Sequence, residues 1–169
     1  MHGDPWAASY PSPADRAHMH VLHSSTGRPV TLLGLHALRP HESHDEAAAQ
    51  RLAARIAACG FWTTPIAVEP TLHVILDGHH RWRAAHLLAL SYVPAVVVSY
   101  DDPGITLGSW RADEAVSPNR VLDCAASGAL LPIRTSRHSF APEIGLINLP
   151  IAVLARQGPI SRTVAAASA

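Results

Sequence analysis

The apolar positions of this chain switch between a period of about two and a period of about 3.6, and the switches mark its elements. Residues 1–28 follow neither period. Pro5, Pro11, Pro13, several histidines and Gly27 interrupt them, so this stretch reads as a flexible N-terminal arm. Val30 to Leu38 is apolar enough for a strand or an extended segment. Ser43 followed three residues later by Glu46 has the form of a capping box and predicts a helix start. That helix carries Leu52 and Ile56 on one face, Arg51 and Arg55 on another, and ends at Gly60. Pro65–Glu69 and Leu72–Leu76 are short strands separated by Pro70-Thr71, which predicts a hairpin. Asp77-Gly78 breaks the second strand. Helical spacing then runs from His79 to Leu90, with Trp82, Ala85, Leu88 and Ala89 as the inner face.

Val93–Ser99 is a further strand, and its run Val96-Val97-Val98 predicts burial. A turn at Asp101–Gly104 leads to a short strand over 105–110 and a helix from about Pro118 to Ala126. Leu131–Phe140 reads as a polar, basic loop, and the last 20 residues are weakly patterned. The order predicts a compact α+β domain: a small mixed sheet flanked by helices over 29–145, then a C-terminal segment, 146–169, that is partly disordered.

Composition narrows the chemistry. Apolar residues make up 48% of the 169 positions and charged ones 15%, which suits a single globular domain with a real core. No run of 18 apolar residues and no signal-like N-terminus appears, so the expectation is a cytoplasmic protein that does not enter a membrane. Cys59 and Cys124 lack metal-like spacing and are expected to be small buried apolar residues. The 13 basic residues are all arginine. Schiff-base chemistry and a phosphate-binding lysine are therefore excluded, and a phosphate clamp must use arginine, histidine or backbone N–H groups. Arginine cannot accept a proton, so a general base must be a carboxylate or a histidine. A net charge of zero argues against an extended nucleic-acid surface.

The candidate chemistry concentrates where the strand ending at Leu76 runs into Asp77-Gly78-His79-His80-Arg81 at a helix start. A helix N-terminus offers unpaired N–H groups and partial positive charge to an anion. Gly78 permits close backbone approach, and His79, His80 and Arg81 add donors for phosphate oxygens. Asp77 can cap the helix, accept a hydrogen bond or hold Mg²⁺ against nucleotide phosphates. A zinc site is a poor alternative, because adjacent helical histidines point about 100° apart.

The string Leu76-Asp77-Gly78-His79-His80-Arg81-Trp82-Arg83-Ala84-Ala85 resembles the signature of the ParB/sulfiredoxin superfamily in its free serine kinase branch. Leu38–Glu42 resembles that family's leader to a catalytic glutamate, which implies Glu42 as general base. Gly60–Val68 resembles the stretch lining the nucleotide pocket. Thr64 within it can donate to the nucleotide or simply serve the turn before Pro65. Ser109-Trp110-Arg111 and Leu131–His138 resemble two stretches that close over the amino acid, implying substrate roles for Trp110, Arg134, Ser136, Arg137 and His138. The family's last motif usually reads Lys-Thr-Thr-Arg-His, and here Arg134 and Ser136 replace the lysine and the middle threonine.

The resemblance implies phosphoryl transfer from ATP or ADP, with Mg²⁺, to the hydroxyl of a free amino acid. L-Serine is the default acceptor. The implied partners are a nucleotide and a small hydroxy amino acid, without nucleic acid; a homodimer is left open. One alternative is a nucleotide-dependent DNA-binding or ligand-sensing protein of the ParB type. It is disfavoured by the zero net charge and by the expectation of no second helical domain. Sulfiredoxin chemistry needs a cysteine where this chain has His79.

Overall fold

The computed structural model describes residues 22–155; most of the predicted arm and the tail beyond residue 155 lie outside the described residues. Among the described residues, nine short strands and four α-helices follow in order: β1 (Leu22–His23), β2 (Pro29–Gly34), α1 (Glu46–Cys59), β3 (Phe61–Trp62), β4 (Ile66–Val68), β5 (Ile75–Asp77), α2 (His79–Leu87), β6 (Tyr92–Val97), β7 (Ile105–Ser109), α3 (Pro118–Ser127), β8 (Ser136–Phe140), β9 (Leu149–Pro150) and α4 (Ile151–Leu154).

The central sheet has the order β1-β2-β6-β4-β5. It is mixed: β6 pairs antiparallel with β2 and parallel with β4, and β4 and β5 form the predicted hairpin. Its strands are short and nearly all apolar because both faces are covered, so Ile66, Ala67, Val68, Ile75, Val93 and Ala95 are all inaccessible. Val97 is the exception in its run, turned outward at the end of β6.

Several expectations need correction. The α1 cap is Asp45, whose carboxylate accepts from the Ala48 N–H, rather than Ser43. Glu46 is thereby the first helical residue, and its carboxylate pairs with Arg83 of α2. On α1 the fully buried positions are Ala49 and Ala53, because α2 packs close and leaves room only for methyl groups. Leu52 and Ile56 are half-buried beside them. Cys59 is exposed at the helix end and Cys124 half-buried, contrary to expectation. Helix α2 stops at Leu87, since Ala89 takes a left-handed conformation (φ 51°) that turns it outward and sends Leu90 into the core.

The stretch expected to be a basic loop is half strand. Residues 136–140 alternate inward and outward and pair with β7, Gly108 opposite Arg137 and Leu107 opposite His138. The core also continues past residue 145: Ile147, Leu149 and Leu154 are buried, and β9 pairs with β3.

Candidate active site

The residues from 39 to 42 run beside the β-hairpin, with the Arg39 N–H bonded to the His73 carbonyl and the Ile75 N–H to the Arg39 carbonyl. This contact delivers His41 and Glu42 to the end of β5, where the sheet gives way to α2. On the other side the Leu131 N–H bonds to His41 and the Ser43 N–H to Leu131, which brings in the 131–138 segment. A cleft of about 250 Å³ lies between these three pieces. All of the predicted site residues line it except Thr64.

Glu42 is buried, and the chain folds around its carboxylate. Arg134 adopts a left-handed conformation (φ 57°), so that successive N–H groups converge in an anion-binding nest. Oε1 accepts from the Arg134 N–H at 2.7 Å; Oε2 accepts from the N–H groups of Thr135 (3.1 Å) and Ser136 (2.8 Å) and lies 2.9 Å from the Ser136 hydroxyl. Thr135 adds its own hydroxyl bond to the Pro132 carbonyl, closing the loop. A carboxylate offers about four acceptor directions, two on each oxygen. Three of the four donors fall on Oε2, which leaves Oε1 an open direction.

Across the cleft, Gly78 caps α2 in a conformation (φ 109°) that L residues rarely adopt, and no side chain caps the helix. A Cβ there would stand 3.2 Å from Ile66 Cγ1 and from Arg81 Nε. Arg81 is heavily engaged within the protein. It donates to the carbonyls of Thr64 (3.1 Å) and Pro65 (2.5 Å) and to Asp77 Oδ2 (2.6 Å). Thr64 thus supports the cleft through its carbonyl, which also accepts from the Trp62 indole N–H at 2.7 Å. The guanidinium pins the start of β4 to the strand-to-helix turn and keeps two N–H donors unassigned. Asp77 stays 53% exposed at the cleft's edge.

Histidines dominate the cleft floor, and burial pushes each of them toward the neutral form. His80 Nε2 accepts from the Asp45 N–H at 3.1 Å, tying the starts of α1 and α2 together; desolvation first, then the neighbouring His44, lowers its pKa. His79 is held well below the ordinary value by burial, with His41 and His138 adding to the effect, and its Nε2 is enclosed without a hydrogen-bond partner among the described residues. His138 is lowered to about 4, chiefly by burial and then by His41, against weaker opposition from Asp77 and the Leu76 carbonyl. Burial raises the Tyr100 phenol, so it keeps its proton, and its oxygen lies 2.8 Å from His138 Nε2. At the rim, Arg137 lies over the exposed Trp110 ring, 4.5 Å from its centroid.

Sequence reasoning missed His41, which touches the site from beneath, and Ser43, Leu52 and Ile133 on its walls. Among the described residues, no group of three or more His, Cys, Asp or Glu is placed to hold a metal ion. None of their helices is long and apolar enough to cross a membrane.

Comparison with known proteins identifies the family and the fold. Residues 19–107 match the family described as the ParB N-terminal domain. An ATP-dependent L-serine kinase from Staphylothermus marinus is 31% identical over 96 residues, covering 54% of this chain and 38% of that protein. Another, from Desulfurococcus mucosus, is 29% identical over 94 residues, covering 53% and 37%. This chain therefore matches less than two-fifths of the length of these curated relatives. Among solved structures, a free serine kinase in complex with AMP superposes with a TM-score of 0.69 at 12% identity, covering 81% of this chain and 97% of that one. The fold is that of these proteins, and the chain belongs to the ParB N-terminal domain family.

Proposed function

We propose that this member of the ParB N-terminal domain family is a free amino-acid kinase that moves a phosphoryl group from ATP or ADP to the hydroxyl of a small hydroxy amino acid, L-serine first. One observation carries the reading. A carboxylate held rigidly by a backbone nest, with one acceptor direction open, shares a cleft with the uncapped N-terminus of a helix.

Phosphoryl transfer asks a protein for alignment and charge neutralisation more than for covalent chemistry. The N–H groups at the start of α2, with the remaining Arg81 donors, suit the phosphate chain of a nucleotide. Glu42 suits the general base, since an alcohol must lose its proton as the new bond to phosphorus forms. Arg134 and Arg137 suit the carboxylate of a free amino acid or the migrating phosphoryl group, with Trp110 as a wall on the rim. A single exposed carboxylate, Asp77, fits Mg²⁺ delivered with a nucleotide, because Mg²⁺ takes one or two carboxylates plus phosphates and keeps its waters. Bound there, Mg²⁺ would neutralise phosphate charge. An ATP-dependent reaction also fits a cytoplasmic protein.

The test is incubation with Mg²⁺, ATP or ADP and a panel of serine, threonine and homoserine, read by mass. A gain of one phosphate on an amino acid, abolished by EDTA, is the expected result. Nucleotide binding without product from any acceptor would instead favour a ligand sensor.

A further inference from the structure

The buried histidine beneath the cleft has a place in this chemistry that its sequence position does not suggest. We infer that Glu42, Ser136 and His41 form a single proton-holding row, in which His41 acts through the Ser136 hydroxyl as a positioning residue for the base. The inference rests on the kinase reading and extends it beyond the residues lining the cleft.

Proton counting along the row leads to this assignment. His41 is wholly buried, and its Nδ1 lies 2.7 Å from the Ile75 carbonyl oxygen. A carbonyl only accepts, so Nδ1 carries a proton. The opposite nitrogen, Nε2, lies 2.7 Å from Ser136 Oγ, which is itself 2.9 Å from Glu42 Oε2. The hydroxyl owns one proton and stands between an imidazole nitrogen and a carboxylate oxygen. With His41 neutral and Glu42 ionised, both flanking atoms are acceptors, and one of the two short contacts holds no proton.

One added proton completes both bonds. It can sit on His41, whose Nε2–H then donates to Ser136 while Ser136 donates to Glu42. It can equally sit on Glu42 Oε2, which then donates to Ser136 while Ser136 donates to neutral His41. These arrangements contain the same atoms and differ by two short proton shifts, so the proton belongs to the row. In the transfer reaction the acceptor's O–H bond breaks as its O–P bond forms, and its proton goes to the open direction of Glu42 Oε1. A proton already held by the row opposes that uptake, so the row's hold on its proton sets where the base fails in acid.

The surroundings keep that place vacant at rest. Among the described residues, the titratable groups facing His41 are Glu42 on its own segment, the His79 ring of α2 at 4.7 Å and the His138 ring of β8 at 5.8 Å. Burial lowers the His41 pKa, opposed by the Ile75 bond and by the Glu42 charge. The imidazole is thus neutral near pH 7, an acceptor waiting behind Ser136.

Ser136→Ala deletes the linking oxygen while leaving the three backbone N–H groups on Glu42, and Ser136→Thr restores a hydroxyl. The row's protonated form loses one more hydrogen bond than its unprotonated form in the alanine variant. The acid limb of the kcat profile should therefore move down by about one pH unit, the worth of one charge-assisted hydrogen bond. The kcat value should fall about tenfold, with KM for both substrates unchanged. ¹⁵N NMR of the histidines, with the His41 signal identified by its loss in His41→Gln, should show its titration moving the same way in Ser136→Ala and returning in Ser136→Thr. An unmoved His41 titration overturns the row, whatever the activity. So does a higher amino-acid KM with an unmoved acid limb, which would make Ser136 a substrate contact. A shifted His41 signal in a protein that phosphorylates no acceptor would overturn the kinase reading and leave the row standing.

Discussion

Glu42→Gln tests the site most sharply, because structure and chemistry predict separate losses that different assays read. The amide has the shape of the carboxylate but one acceptor oxygen instead of two. With that oxygen in the Oε2 position, the N–H groups of Thr135 and Ser136 keep a partner, now uncharged, and the NH₂ group is driven against the Arg134 N–H, which stood 2.7 Å from Oε1. Losing one charge-assisted bond and weakening the others costs about 2–4 kcal/mol at the 134–136 loop. If the loop stays closed, that corresponds to a melting temperature lower by about 5–15 °C at roughly 2–4 °C per kcal/mol. If it opens instead, the melting temperature changes less and KM for the amino acid rises. Removal of a general base should separately lower kcat by about 10²–10⁴-fold. Nucleotide affinity, which the reading assigns to the start of α2, should stay within about threefold. Phosphorylation kinetics, calorimetric nucleotide titration and thermal melts on one preparation separate these effects. A kcat within tenfold of the wild type would refute Glu42 as base. A normal melting temperature together with a normal KM would refute the nest as the feature that holds the loop.

The buried histidines predict loss of stability in mild acid. His138 has a folded pKa of about 4 against about 6.5 unfolded, so between these values the unfolded chain binds more protons. Stability from this source is full above pH 6.5 and falls as pH drops toward 4, by about 3 kcal/mol for His138; His41 and His79 shift in the same direction. A melting temperature that stays flat from pH 7 to pH 5 would contradict this. At the α2 start, Gly78→Ala meets both a φ of 109° and contacts at 3.2 Å with Ile66 and Arg81. It should cost about 1–3 kcal/mol and weaken nucleotide binding, read by thermal melts and titration. Unchanged affinity would move the phosphate site elsewhere.

What the sequence made legible was whatever depends on neighbours along the chain. The strand-turn-helix at Leu76–Arg81 could be read because apolar alternation, a break at Asp77-Gly78 and helical spacing follow one another within a few residues. Gly60 and the helix start at Pro118 were local in the same sense. The capping residue of α1 was misplaced by two positions because Ser43 and Asp45 are both of the residue types that cap helices, and only Ser43 has a glutamate three residues on. Tertiary structure decides between them: the Ser43 N–H bonds Leu131, while Asp45 is anchored to His80.

The 131–140 segment shows the opposite limit. Its five strand residues carry too little apolar surface to announce a strand, and β7 supplies the partner that makes one. The nest over Glu42 spans more than 90 residues of sequence, and each of its donors is a backbone N–H that every residue but proline possesses. No side-chain pattern can signal such a contact. His41 was hidden for a related reason: an imidazole beside a glutamate is unremarkable in sequence, and only burial with bonds to Ile75 and Ser136 fixes which nitrogen holds the proton. Position along the chain could suggest the carboxylate, whereas the environment that governs its proton is assembled from three distant segments. Substitutions in that environment should therefore alter the pH dependence of turnover even where they leave the Asp77–Arg81 turn intact.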